Sequence, residues 1–132
     1  MLKPVSYVAS LWVLVAAHPG MAQDRVPEAA SSLIAEVHDT AVRKDFDELR
    51  TRMVDEFVWS FGGDGDADQA ISNWRDEPDA LKALARVTSG PCGPLEGVTE
   101  IIQCPANAGI DYRAGFKQTQ DGWKLVWFVA GD

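Results

Sequence analysis

The last segment of the chain, residues 123–130 (WKLVWFVA), is apolar on both of its faces from Leu125 to Ala130. A strand with one face in water alternates apolar and polar residues, so a strand without that alternation is covered on both sides. Helices can provide one cover, and a cavity, a loop or a second copy of the chain can provide the other. The segment therefore predicts a sheet with helices against one face and a further cover on the other.

A second strand precedes this segment and forms a hairpin with it. Residues 110–118 (IDYRAGFKQ) alternate in polarity, and Asp121-Gly122 is a strong turn signal because both residues tolerate positive φ. A two-residue turn at this position places Phe116 opposite Trp127. We therefore predict an antiparallel hairpin over residues 110–130, with Trp127 facing the core.

The chain before residue 90 has the periodicity of helices. Apolar residues recur at steps of three and four over residues 28–44, which predicts a first amphipathic helix. Asp45 and Glu48 have capping-box spacing, which predicts a second helix up to about residue 55. The other predicted elements are a strand at 57–61, a helix from about residue 67, a helix over 78–90 and a strand at 98–104. Because helices come first and strands last, the class is α+β, with N-terminal helices packed on a C-terminal antiparallel sheet.

The N-terminus has the three-part pattern of a secretory signal peptide. Lys3 is the positive charge, residues 5–17 are apolar, and Gly20-Met21-Ala22 places small residues at a cleavage site. The apolar run is shorter than the roughly 20 residues of a membrane span, although an uncleaved anchor remains an alternative. We predict a signal peptide at 1–22 and one domain at 23–132, periplasmic or secreted, with no stable membrane anchor after cleavage.

The two cysteines, Cys92 and Cys104, lie in the predicted mature domain. An even cysteine count in an exported chain predicts a disulfide, and two free buried thiols are the alternative. Their spacing is not the C-x-x-C of redox enzymes. Together with His38, the one histidine after residue 22, they fall short of a structural zinc set. No metal and no cofactor are predicted.

The charge balance excludes one class of partner. Twelve Lys and Arg stand against 20 Asp and Glu, which gives a formal net charge of −8 over the 132 residues. Nucleic acids and anionic membranes bind clustered positive charge, so we predict no nucleic-acid partner. Serine-hydrolase, phosphate-loop and dinucleotide motifs are also missing from the sequence.

The order of elements, together with two stretches, resembles the nuclear transport factor 2-like group. The stretches are residues 33–61, which include RKDFDEL at 43–49, and the final hairpin at 112–129. The resemblance implies a curved, cone-shaped sheet wrapped around the first helix. It carries no diagnostic motif, and the group includes enzymes, binding proteins and inert partner domains. The chain departs from the group in having three clear strands after Gly90 and a predicted disulfide in one connection.

His38 is the first candidate for chemistry, because it lies at the edge of the apolar face of the first helix. It is either a general base in a pocket or a half-buried histidine bonded to a carbonyl or water. An enzyme of the isomerase or hydratase type would use His38 or Asp39 as base, with Tyr112 as a hydrogen-bond donor. Asp39 points about 100° away from His38 around a helix, so the two do not form a ready dyad.

The acidic run Asp64-Gly65-Asp66-Ala67-Asp68 has two interpretations. An EF-hand counted from Asp64 would need Gly and Glu where the chain has Gln69 and Arg75, so that motif is excluded. The run then either caps the following helix or forms a weak calcium site of another kind.

Four residues are candidates for ligand binding, although each also has an ordinary structural interpretation. Tryptophans at these spacings pack in cores and on sheet faces, or form a stacking platform. A cation on a strand lies on a solvated face, or lines an anion pocket. The candidates are His38, Trp59, Trp127 and Arg113. The predicted function is a non-enzymatic module for a small apolar ligand or a protein partner, and a homodimer through the C-terminal sheet is compatible with it.

Overall fold

The computed structural model describes residues 26–60, 65–95 and 97–131. The predicted signal peptide and its apolar run therefore lie outside the described residues. Within the described ranges no helix is long and apolar enough to cross a membrane. The elements are α1 (Glu28–Arg43), α2 (Phe46–Thr51), β1 (Met53–Val58), α3 (Ala67–Asp76), α4 (Asp79–Thr88), β2 (Gly93–Leu95), β3 (Val98–Cys104), β4 (Arg113–Thr119) and β5 (Gly122–Val129).

The first helix forms where the sequence predicts it, and the second begins where it is predicted. In α1, Glu28 and Arg43 lie at the ends where their charges complement the helix dipole. Lys44 ends the helix in the left-handed region at φ 54°, and Asp45 then caps α2 by accepting a hydrogen bond from the Glu48 amide at 3.1 Å. The tight connection turns the chain from one helix into the next.

The second helix is shorter than predicted, and the strand after it starts earlier. The predicted helix end near residue 55 is wrong, because α2 stops at Thr51. The strand predicted at 57–61 is present but displaced: β1 begins at Met53 and ends at Val58, and residue 61 lies outside the described residues. Residues of β1 pair with β5, starting at Met53 beside Leu125, and the Leu125 amide donates to the Arg52 carbonyl at 2.8 Å. Residues 53–55 therefore pair with the apolar last strand and do not extend α2.

The five strands of the described chain form one sheet in the order β1-β5-β4-β3-β2. The predicted α+β class, with N-terminal helices on a C-terminal sheet, is confirmed. The pairs β2–β3, β3–β4 and β4–β5 are antiparallel as expected, whereas β1 joins β5 in parallel, so the sheet is mixed. A parallel neighbour needs a long crossover, and α3, α4 and three strands separate β1 from β5.

The predicted C-terminal hairpin exists, with a different turn and register. Thr119 pairs with Gly122, so residues 120–121 form the turn, and Gly122 supplies the positive φ of 95°. The register shifts between Gly115 and Phe116, which leaves Val126 as an extra residue in β5. A bulge of one residue changes the face of the residues beyond it. Gly115, and not Phe116, is therefore opposite Trp127, so the predicted core position of Trp127 is wrong.

The helices cover one side of the sheet, which we call the helix face, formed by Ile102, Cys104, Ala114, Phe116, Leu125 and Phe128. All six side chains are buried in the core with residues of the four helices. Trp74 of α3 meets Phe57 and Phe128 edge to face, with ring centroids 5.6 and 6.0 Å apart. The helix face is therefore a closed, aromatic-rich core.

The two cysteines form the predicted disulfide, with Cα atoms 4.4 Å apart. The bond joins the segment after α4 to the end of β3, and β2 lies inside the loop that it closes. This three-residue strand was not predicted, because Gly93 and Pro94 read as turn residues. It pairs with β3, so the sheet has four strands after Gly90 in place of the three expected.

Candidate ligand cavity

The side of the sheet opposite the helices, which we call the second face, has one row of paired residues across four strands. The row runs Gln103, Gly115, Trp127 and Val58, each opposite the next. Because neighbours across a sheet point to the same side, these residues share the second face. Two residues along β5, Val129 also points to this side.

A cavity of about 700 Å³ lies on the second face. We call it the second-face cavity. Its apolar lining includes Val58, Pro94, Leu95, Ala108, Trp127 and Val129. Its polar lining includes Gln103, Asn107 and Arg113. The cavity is thus an apolar basin with a few polar groups, the usual composition of a small-molecule site.

The loop between β3 and β4 forms one wall of this cavity. The Gln103 amide nitrogen donates to the carbonyls of Pro105 at 3.2 Å and Ala106 at 3.3 Å. The Ala106 amide donates to the Pro91 carbonyl at 2.8 Å, which attaches the loop to the segment before β2. Residues 106–109 line the cavity. A side chain of β3 and a neighbouring segment therefore hold the wall in place.

The floor of the cavity includes the indole ring of Trp127. A Cβ atom at Gly115 would collide with three ring atoms of Trp127, so the ring lies directly against the glycine backbone. Glycine at this position is required by the close approach of the ring. Trp127 is half-buried, because its inner side is against β4 and the ring also lines the cavity.

Arg113 lies at one end of the cavity lining. Its guanidinium donates to the Asp111 carbonyl and to the Gly131 carbonyl, both at 3.0 Å. These bonds join the segment before β4 to the segment after β5. Of the four ligand-binding candidates predicted from the sequence, the structure brings Arg113 and Trp127 together in the second-face cavity.

The other two candidates, His38 and Trp59, do not line this cavity. His38 joins α1 to α4, with Nδ1 2.8 Å from the Ala85 carbonyl and 3.1 Å from the Thr88 hydroxyl. This is the contact that the structural interpretation of His38 expected, a half-buried histidine bonded to a carbonyl. Trp59 is also half-buried and packs against the helix-face core.

The remaining residues of the predicted catalytic set have separate contacts. Asp39 is an exposed ion-pair partner of Arg43, at 2.9 Å, and its hydrogen bond raises the pKa of Arg43. Tyr112 is 41% exposed and lies over Phe128, with ring centroids 5.3 Å apart. Neither residue lines the second-face cavity. The predicted general bases and the predicted hydrogen-bond donor are therefore all outside its lining.

The acidic run before α3 divides between capping and ion pairing. Asp66 accepts from the Gln69 amide at 3.1 Å, so the predicted helix cap is confirmed. Asp68 accepts from Arg50, which also donates to Asp55, and these bonds raise the pKa of Arg50. Asp64 lies outside the described residues. In the part of the chain that the structure describes, no three His, Cys, Asp or Glu side chains form a group that could hold a metal.

Sequence reasoning missed Gln103, Val58 and the 106–109 wall. Gln103 had a weak signal, because it is the polar residue between Ile102 and Cys104 and must face away from them in a strand. The wall had no signal, since it depends on where the loop returns in three dimensions.

Comparison with known proteins finds two similar solved structures. No protein-family model matches the chain, and no curated protein matches it. An NTF-2 like protein of unknown function from Shewanella oneidensis MR-1 is 10% identical, with a TM-score of 0.48 over 80% of this chain and 98% of that chain. An NTF2-like protein with a cystatin-like fold from Novosphingobium aromaticivorans is 17% identical, with a TM-score of 0.41 over 77% and 78%. Both of those proteins are described as NTF2-like.

Proposed function

We propose that this chain is an exported, non-enzymatic binding domain that holds a small apolar molecule in the second-face cavity. The observation that carries the proposal is the cavity itself, about 700 Å³ in volume, with a mainly apolar lining. Small-molecule sites are typically 300–1,000 Å³ and are lined mainly by apolar and aromatic side chains with a few polar groups. The second-face cavity has this size and composition.

The apolar character of β5 supports the same proposal. Its helix-facing residues, Leu125 and Phe128, are buried in the core, whereas Trp127 on the other side is only half-buried. The 106–109 wall covers part of the second face and leaves an open basin over the ring. A bound apolar molecule would remove the remaining apolar surface from water, which is the favourable term in such binding.

Export is the second part of the proposal, and the disulfide between Cys92 and Cys104 is compatible with it. Structural disulfides persist in oxidising compartments and are rare in the cytosol. The predicted signal peptide gives a test. Intact mass of the protein from its native compartment should correspond to a chain beginning at Gln23. A chain retaining residues 1–22 in a cytoplasmic fraction would contradict export.

A charge placed in the cavity tests the binding proposal. Val58 lines the cavity and is 38% exposed, so Val58→Glu adds a carboxylate there with little loss of core packing. Val98 is a matched control, because it is also a strand valine, 43% exposed, and does not line the cavity. The probe is the apolar dye Nile red, whose fluorescence reports transfer out of water.

Val58→Glu should raise the dissociation constant for Nile red roughly tenfold or more, because an apolar ligand cannot compensate the buried charge. Val98→Glu should leave it within about twofold. Equal effects of the two variants would contradict the proposal. A wild-type dimer that Val58→Glu dissociates, with no dye bound, would instead assign the cover of the second face to a second copy. The isomerase or hydratase alternative gains no support from the contacts of His38, Asp39 and Tyr112.

A further inference from the structure

We infer that the ligand of the second-face cavity is a flat aromatic molecule that donates a hydrogen bond, stacked on Trp127 and bound through its N–H or O–H to Gln103. This inference rests on the proposed function and specifies the class of ligand. It follows from the position of one ring, the orientation of one buried amide and the register that places them side by side.

The ring of Trp127 is held flat by the sheet. Three of its atoms lie over Gly115, where even a Cβ atom would have no room. One face of the indole is therefore against the backbone, and the rest of the ring surface lines the cavity. Aromatic partners gain from offset stacking on such a surface in addition to the area that they bury. A flat ligand covers it more completely than a puckered one does.

Gln103 is the most deeply buried polar side chain of the cavity, with 5% of its surface exposed. Its amide nitrogen donates to the carbonyls of Pro105 and Ala106. Those two carbonyls fix the orientation of the amide, because a flipped group would turn its oxygen toward two other acceptors. Among the described residues the amide oxygen has no hydrogen-bond partner, and Gln103 lines the cavity.

The strand register places the Trp127 ring and the Gln103 amide close together on the second face. Gln103 is opposite Gly115, which is opposite Trp127. Two strand spacings are about 10 Å, and the indole lies over the strand between them. A molecule of one or two fused rings on Trp127 therefore reaches Gln103 with a polar atom at its edge.

An acceptor that the ligand covers discriminates among ligands more strongly than an acceptor that stays in water. Asn107 also lines the cavity, but it is exposed, and water satisfies its amide whatever the ligand carries. The Gln103 oxygen is covered when an apolar ligand binds, so a ligand without a donor leaves it unpaired. The cavity should therefore select an aromatic N–H or O–H over the same ring with that donor blocked.

The experiment uses 2-naphthol and its methyl ether, 2-methoxynaphthalene, which have the same flat body and differ in the donor. Calorimetric titration gives both dissociation constants for the wild type and for Gln103→Met. The methyl ether is the more apolar compound, so the informative quantity is its dissociation constant divided by that of 2-naphthol. This ratio should fall about three- to tenfold from wild type to Gln103→Met, the range for one neutral hydrogen bond.

Loosening of the loop in Gln103→Met weakens both probes alike and cancels in the ratio. If that variant does not fold, the wild type alone decides: once both constants are corrected for the partition of each probe between water and octanol, 2-naphthol should bind at least about threefold more tightly than its ether. Trp127→Leu should remove the preference for 2-naphthol over its saturated analogue, decahydro-2-naphthol. An unchanged ratio in Gln103→Met overturns this inference. So does equal binding of naphthol and ether by the wild type after the correction for partition, or Nile red binding without naphthol binding. If Val58→Glu does not raise the Nile red dissociation constant, the proposed function itself is overturned.

Discussion

The two faces of the sheet differ in what covers them, although the sequence of β5 is apolar toward both. On the helix face, four helices bury Phe116, Leu125 and Phe128. On the second face, one loop held by Gln103 covers part of the surface and leaves Trp127 half-buried. The comparison shows that apolar residues on both faces of a strand predict two covers and do not predict that the covers are equal. An incomplete cover is the place where a ligand can bind.

The largest expected effect is on the helix face. Phe116→Ala should destabilise the protein by about 3–5 kcal/mol, because Phe116 is fully buried and its removal leaves a cavity that the neighbours fill only in part. This is a large share of the roughly 5–15 kcal/mol available to a domain of this size. Urea unfolding, followed by tryptophan fluorescence and circular dichroism, measures it.

Trp127→Ala should lower the free energy of unfolding clearly less than Phe116→Ala does, although tryptophan is the larger residue, because Trp127 is only half-buried. If Trp127→Ala proved as damaging as Phe116→Ala in the same urea series, the second face would be a second core and not an incompletely covered surface.

A middle-sized effect is expected where Trp127 lies over β4. Gly115→Ala should cost about 1–3 kcal/mol, because the new methyl group would collide with the indole ring and displace it. The same substitution in a Trp127→Ala background should be close to neutral, since the ring is gone. The double-mutant cycle in urea measures this coupling directly.

Additive effects of Gly115→Ala and Trp127→Ala would show that the ring does not lie on the glycine. The flat floor that the ligand inference requires would then be absent.

Much of this fold could be predicted from local sequence signals. The helix α1, the caps at Asp45 and Asp66, the disulfide and the presence of the C-terminal hairpin all depend on residues near one another in the chain. The start of β1 could not be predicted, because residues 53–55 form a strand only where β5 is available to pair with them. Local preference gives way to tertiary pairing at such a position.

The candidate site was predicted in part, and a single residue explains most of the difference. Trp127 and Arg113 were named from the sequence, but the extra residue at Val126 moved Trp127 from the expected core to the second face. A bulge adds one residue without changing the hydrophobic pattern on either side, so periodicity does not reveal it. The role of Gln103 in the site depends on its hydrogen bonds to the loop at 105–106. The path of that loop is set by tertiary structure, so the local sequence does not reveal it.

The smallest effect is expected at the solvated end of the second face. Lys117 lies two residues after Gly115 in β4, yet its side chain is 46% exposed and lies 3.5 Å from the Glu100 carboxylate, which is 71% exposed. Exposed ion pairs contribute little, because water screens the charges and holding two long side chains costs entropy. Lys117→Gln should therefore change the free energy of unfolding by less than about 0.5 kcal/mol.

Lys117→Gln should also leave the Nile red dissociation constant within about twofold, since Lys117 does not line the second-face cavity. Urea unfolding and dye titration on the same preparation measure both quantities, with Val58→Glu as the positive control for the dye. A loss of dye binding in Lys117→Gln would extend the ligand site to this end of the sheet, and the contrast between an apolar basin and a solvated margin would no longer hold.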